Sequence, residues 1–282
     1  MATNRMIVYA GEPGAFAEDA VLIAFGDVDR RAVGSFREVF EVVTAGLADA
    51  GIIPIENVIN GTVRENYDLL LEHELQIVGE VVVPVRLCLA ALPGESIEGI
   101  ERVYSHIQAL GQSEAFLRSH SWQLLTTYNT AGAGKQIAER GERGAAAVLS
   151  PRAAALFGLE VLADDIGDLP GNRTRFAILA RPGAGSAARV DAPGTPRRTT
   201  LVLAVRNEPG TLLSVLRVFA EHGLNMSKLE SRPSRERAWE YVFWVDLDAD
   251  DADQPTQAAL TALVPVTTMV RVLGSYPKGE TS

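Results

Sequence analysis

Between Arg181 and Arg198 the chain carries Pro182, Gly183, Gly185, Pro193, Gly194 and Pro196 among small and polar residues. Proline removes backbone donors and glycine raises chain entropy, so no strand or helix of ordinary length runs through this stretch. It reads as a linker over 182–198, and it divides the 282 residues into a first domain over 1–181 and a second over 199–282. Both are long enough to bury a core of their own.

The two sides of the linker differ in pattern. Before it, apolar runs alternate with helical periodicity. Strands are expected at Met6 to Ala10, Ala50 to Ile55, Ile77 to Val83, Arg86 to Ala91, Val103 to Ser105, Gln123 to Tyr128, Ala145 to Leu149 and Thr174 to Leu179. Helices are expected from about Ala15 to Phe25, Val63 to Glu74, Ser105 to Ser119 and Asn129 to Arg140. This is an α/β order. A chain that leaves one sheet near Pro84 and returns near Gly167 makes a second lobe over about 84–166, with a cleft between the lobes. The expected fold is bilobal and periplasmic-binding-protein-like.

After the linker come a strand at Thr199 to Val205, a helix at Thr211 to Glu221, strands at Asn225 to Arg232 and Ala238 to Leu247, a helix at Thr256 to Leu263 and a strand at Thr267 to Leu273. The order βαββαβ is ferredoxin-like. Leu212, Val215, Leu216 and Phe219 form one apolar stripe on its first helix, which Gly223 ends.

Charge and composition exclude several functions. A net charge of −10 offers no basic surface for nucleic acid, so an anionic ligand has to be drawn by local charge. The N-terminus lacks the apolar core of a signal peptide and no run approaches a membrane span, so the expected location is cytoplasmic. Cys88 is the lone cysteine, set in an apolar run, and His73, His106, His120 and His222 are scattered, so neither disulfide nor metal pattern exists. Gly11 and Gly14 do not complete a dinucleotide fingerprint, and no serine-hydrolase elbow is present.

Four strand-to-helix junctions carry small or polar residues instead. Pro54-Ile55-Glu56-Asn57 ends a buried strand, and Thr62 with Glu65 has the spacing of a capping box. Ser105 with Gln108 repeats that spacing beside His106. Asn129-Thr130-Ala131 and the Gly11 to Ala15 segment are the other two. Helix N-termini attract anions, and α/β folds bind ligands at the carboxyl ends of strands. A small ligand with two carboxylates fits these groups best. Asn172-Arg173-Thr174-Arg175-Phe176 adds an amide, a hydroxyl and two guanidiniums at the entrance to the apolar run Phe176 to Leu179.

Taken together, Pro54-Ile55-Glu56-Asn57 with Gly61 and Val63, Ser105-His106 with Gln108-Ala109-Leu110, Asn129-Thr130-Ala131, and Asn172 with Thr174-Arg175-Phe176 resemble the successive motifs of the prephenate dehydratase family. The C-terminal segment is similar to an ACT domain, with Glu208-Pro209-Gly210-Thr211-Leu212 and Glu230-Ser231-Arg232-Pro233 in the places of its two effector motifs. Departures are Val58 for a frequent serine, Ile107 for proline, Ser113 for cysteine and Asn129 for serine, with Ala15 and Ala17 where hydroxyl residues are frequent.

The resemblance implies conversion of prephenate to phenylpyruvate without a cofactor or metal, in L-phenylalanine biosynthesis. It implies Thr174 at the leaving ring hydroxyl, His106 and Glu56 as candidate proton sources, and Arg175 with Asn57, Ser105, Gln108, Asn129, Thr130, Ala131, Asn172 and Phe176 around the substrate. It further implies feedback by L-phenylalanine at a subunit interface of a homodimer or homotetramer. The effector contacts would be Asn207, Pro209, Gly210, Thr211 and Leu212 on one side and Asn225, Glu230, Ser231, Arg232 and Pro233 on the other. Arogenate, with an amine for the keto oxygen, is the alternative substrate. A solute-binding protein and a non-catalytic amino acid sensor are rivals from other classes.

Overall fold

The computed structural model describes residues 5–184, 194–233 and 241–279. The first four residues, most of the expected linker and the expected strand start at Ala238 therefore lie outside the described residues. The chain forms two compact units, Met1–His73 with Val81–Ala177, and Glu74–Glu80 with Ile178–Ser282.

The chain before the linker begins with β1 (Met6–Ala10), α1 (Phe16–Phe25), β2 (Asp29–Val33), α2 (Phe36–Thr44), β3 (Ala50–Asn57), β4 (Gly61–Thr62), α3 (Arg64–Glu72) and β5 (Gln76–Pro84), whose first residues, up to Glu80, belong to the second unit. It continues with β6 (Cys88–Ala91), β7 (Arg102–Ser105), α4 (Ile107–Gln112), α5 (Glu114–Arg118), β8 (Gln123–Thr126), α6 (Thr130–Arg140), β9 (Ala145–Leu149), α7 (Pro151–Leu156), β10 (Glu160–Ala163) and β11 (Arg173–Ala180). One sheet has the order β2-β1-β3-β11-β5, with β4 paired to β3, and β1 lies parallel to both neighbours. The other has the order β10-β6-β9-β7-β8. The chain passes between the sheets twice, after β5 and before β11, as the bilobal expectation requires.

The second lobe shows why such plain sequence makes a sheet. Along β6 and β9, Leu89, Ala91, Ala146 and Val148 enter one apolar cluster, while Cys88, Ala90, Ala145, Ala147 and Leu149 enter another. Successive side chains point to opposite faces, so a strand covered on both faces reads as a continuous apolar run. Burial also pushes the Cys88 thiol up to about 12, which makes it a packing residue and not a nucleophile.

Three differences from expectation concern capping. The single helix expected from Ser105 to Ser119 is broken at Ser113 into α4 and α5. Ser105 is the last residue of β7, where its hydroxyl donates to the Val148 carbonyl at 2.6 Å, and the cap is His106, whose Nδ1 accepts from the Gln108 N–H. Thr62 does not cap α3 either; it pairs with Glu56 across β3 and β4, and α3 starts at Val63 with no side-chain cap.

The second unit contains β12 (Arg197–Ala204), α8 (Thr211–Glu221), β13 (Met226–Pro233), β14 (Tyr241–Leu247), α9 (Gln254–Leu263) and β15 (Met269–Pro277). Its sheet has the order β13-β14-β12-β15, antiparallel throughout. Leu201, Leu203, Val215, Phe219, Val245 and Leu263 lie in the core between this sheet and its helices. Sequence order does not reveal that Glu74–Glu80 belongs to this unit. Packing explains it, because a Cβ added at Gly274 of β15 would collide with the Ile77 carbonyl. Only glycine allows that approach.

Candidate active site

A cavity of about 720 Å³ lies between the lobes of the first unit. Its floor is the end of the first sheet, with Asn57 from β3 and Thr174 and Phe176 from β11. Helix starts form the walls: Ser35 and Phe36 of α2, Arg64 and Glu65 of α3, His106 and Gln108 at α4, and Asn129 and Thr130 at α6.

Asn57 organises the floor. Its Oδ1 accepts from the N–H groups of Ile59 and Asn60 at 3.0 and 2.9 Å, which identifies the other end of the amide as the donor. Nδ2 then has three acceptors, Asn172 Oδ1 at 2.8 Å, the Arg173 carbonyl at 3.0 Å and Thr174 Oγ1 at 3.0 Å. Asn172 in turn donates to Gln112 Oε1 at 2.9 Å. Because the Thr174 oxygen is already an acceptor, its own proton is available to a ligand in the cavity.

His106 is held in one tautomer. With Nδ1 accepting from Gln108 at 3.3 Å, the proton of the neutral ring sits on Nε2, and desolvation lowers the imidazole pKa below its ordinary value. The ring is therefore a neutral donor near pH 7.

Glu56 and Arg175 stand elsewhere. Strand alternation turns both away from Asn57 and Thr174, and neither lines the cavity; Arg175 donates to Glu56 at 2.8 Å. Ser105, Ala131 and Asn172 also lie outside the lining, the first two buried and the third acting through Asn57 and Gln112. The guanidinium that does line the cavity is that of Arg64, and among the described lining residues it is the one permanent cation.

Sequence reasoning passed over Arg64, Gln112, Tyr128 and the whole start of α2. A signal for α2 existed. Ser35 accepts from the Glu38 N–H, and Glu38 accepts from the N–H of Gly34, the residue before the cap, so Ser35 and Glu38 have the spacing of a capping box.

The lobes are clasped near the cavity mouth. Glu12, from the loop before α1, accepts from the Tyr128 hydroxyl at 2.6 Å and from Lys135 at 2.9 Å. Arg152 of α7 pairs with both Glu18 and Asp19 of α1. Burial pushes the Glu12 carboxyl up, but the Tyr128 and Lys135 bonds outweigh it and hold the group below its ordinary value. Burial and Glu12 together push Tyr128 up to about 12.

The prephenate dehydratase profile matches residues 7–184, and the ACT domain profile matches residues 199–265. This chain belongs to the prephenate dehydratase family. It is 41% identical over 286 residues to arogenate dehydratase/prephenate dehydratase 2 of Arabidopsis thaliana, covering 98% of this chain and 73% of the relative. The structure of prephenate dehydratase from Arthrobacter aurescens in complex with L-Phe is similar at TM-score 0.87 and 32% identity, over 98% of this chain and 91% of that one. A structure described as GqqA, a novel type of quorum quenching acylase, is similar at TM-score 0.86 and 31% identity, over 98% of both chains.

The ACT domain of this family member has its own cavity of about 240 Å³, lined by Asn207, Gly210, Thr211 and Leu212 and also by Tyr241 and Phe243. Pro209, Asn225, Glu230, Ser231, Arg232 and Pro233 do not line it. Asn225 donates to Asp248 at 2.7 Å, and β13 is the edge strand beside β14. The Thr211 N–H turns back to the Glu208 carbonyl at 3.3 Å.

Proposed function

We propose that this enzyme converts prephenate to phenylpyruvate and that L-phenylalanine regulates it through the ACT domain. The observation that carries the first part is the Asn57 to Thr174 hydrogen bond, which leaves the threonine proton for the substrate. In the reaction the ring carboxylate leaves as CO₂, its bonding electrons enter the ring, and the ring hydroxyl departs with the electrons of its C–O bond and takes a proton from solvent water to become water. Thr174 donates a hydrogen bond to that departing oxygen and stabilises its developing charge. Arg64 and the first-turn N–H groups of α6 other than that of Gly132, which the Asn129 side chain caps, receive the carboxylates.

Hydrolytic chemistry is less well served, because among the described residues His106 pairs with the Gln108 N–H and with no hydroxyl. A second substrate is favoured by one observation: the Arabidopsis relative is named for arogenate as well as prephenate. The effector reading rests on the Arthrobacter relative, whose structure is a complex with L-Phe. An interface between copies of the chain would add the β13 residues that the single-chain cavity lacks, and the cytoplasm is the proposed location.

Purified protein assayed with prephenate and with arogenate, each with and without L-phenylalanine, tests these statements together. Phenylpyruvate from prephenate supports the proposal. Turnover of arogenate alone moves it to the second substrate, and turnover of neither overturns it.

A further inference from the structure

The second unit contains a buried charge that neither the cavity nor the effector pocket uses. Glu80 of β5 is 3% exposed, and it accepts from Arg198 at 2.5 Å and from the Gly279 N–H at 3.0 Å. Arg198, at the start of β12, also approaches Asp246 of β14 at 3.9 Å. Asp246 accepts from Thr200 at 2.7 Å, and Thr200 meets the Tyr276 hydroxyl at 2.6 Å. One polar network thus ties a strand of the first sheet to three strands of the ACT sheet.

The strands involved have informative far ends. β12 ends at Ala204, next to Val205, and β14 begins at Tyr241; Val205 and Tyr241 both line the effector pocket. β5 runs on to Pro84, and Val85 lines the catalytic cavity. Five residues of extended chain separate Glu80 from Val85, roughly 17 Å at the usual rise. β11 packs closely on β5 here, since a Cβ at Gly79 would meet Ile178 at 3.0 Å, and Thr174 lies four residues before Ile178 on that strand.

A buried ion pair is a poor source of stability, because desolvation offsets most of its attraction, but it fixes geometry and penalises misalignment. We infer that the Glu80–Arg198 pair is the joint through which effector occupancy at the ends of β12 and β14 reaches β5 and the catalytic cavity. This rests on the regulatory reading above. Effector binding that shifts β12 against β14 moves Arg198, and the pair obliges Glu80 to follow. Linkage requires the converse: substrate in the cavity weakens effector binding by the same factor.

The test compares the wild-type enzyme with Arg198→Lys, Arg198→Met and the double variant Glu80→Met/Arg198→Met, which removes both partners of the pair at once. L-phenylalanine affinity is read by calorimetry, its effect on kcat/KM by assay, and folding by thermal melting. The expected result is that Arg198→Met and the double variant bind L-phenylalanine within about threefold of wild type, yet lose at least fivefold of the coupling factor, a loss on the order of the smallest usual coupling. Arg198→Lys, which keeps a cation at Glu80, restores most of it. If the double variant folds, binds and is inhibited as wild type is, the inference is overturned and the regulatory reading stands. If the wild-type rate ignores bound L-phenylalanine, the regulatory reading falls and the inference falls with it.

Discussion

Asn57 Nδ2 donates to Thr174 Oγ1 at 3.0 Å, and the direction of that bond is fixed by the two N–H groups that occupy the other end of the same amide. A hydroxyl that already accepts is polarised toward donating. At the floor of a cavity with one permanent cation on its wall, that is an arrangement for stabilising a leaving oxygen.

Thr174→Val keeps the side-chain shape and removes the hydroxyl. Loss of one such donor costs about 10²–10³ in kcat, so turnover of prephenate is expected to fall at least about a hundredfold. Stability should change little, on the order of 1 kcal/mol, because Asn57 retains Asn172 and Arg173 for its two protons. Steady-state kinetics and a melting curve check both parts. Turnover within about threefold of wild type would remove Thr174 from the mechanism.

Asn57→Asp separates polarity from packing. The new carboxylate keeps both N–H bonds from Ile59 and Asn60 but donates nothing, and it accepts the Thr174 proton that the substrate needs. A fall of at least thirtyfold in kcat, roughly 2 kcal/mol, is expected with secondary structure unchanged by circular dichroism. An active variant would show that the direction of the hydrogen bond is immaterial.

Much of this was legible in the sequence, for identifiable reasons. Val8, Ile52, Ile53 and Ile178 are fully buried, and such strands announce themselves as apolar runs. The first lobe's β2 did not, because Asp29-Arg30-Arg31-Ala32-Val33 is an edge strand with charged outward residues and only Val33 buried. With β2 unread, α2 and the cavity wall at Ser35 and Phe36 went unread too. The roles of Glu56 and Arg175 failed for another reason. Motif proximity says nothing about which face of a strand a residue takes, and alternation sends these two away from Asn57 and Thr174.

Of the two arginines, Arg64 lines the cavity and Arg175 does not, so the carboxylate role expected of Arg175 is proposed for Arg64. Arg64→Met should raise KM for prephenate by about tenfold or more, since a hydrogen bond to a charged group contributes about 1.5–3 kcal/mol. Arg175→Met should leave KM within about threefold and lower the melting temperature instead, because it breaks a partly buried pair with Glu56. The opposite pattern, KM raised by Arg175→Met and not by Arg64→Met, would place the carboxylate on the other face of the sheet.

His106 supplies a pH signature. Desolvation lowers its pKa in the folded enzyme, whereas the unfolded chain has the ordinary value of about 6.5. Below that value the unfolded state binds more protons, so the stability contribution of the neutral ring is present above about pH 6.5 and is lost as pH falls through the folded pKa. Protonation also places a proton on Nδ1, where the Gln108 N–H now points, and so removes the cap of α4 beside the cavity. The expected outcome is an NMR titration midpoint for His106 below 6.5 and an acid limb in kcat/KM with the same midpoint. His106→Asn keeps a side-chain acceptor for the cap and should abolish that limb. A midpoint above 6.5, or an acid limb that survives in His106→Asn, would mean that a different group limits the enzyme in acid.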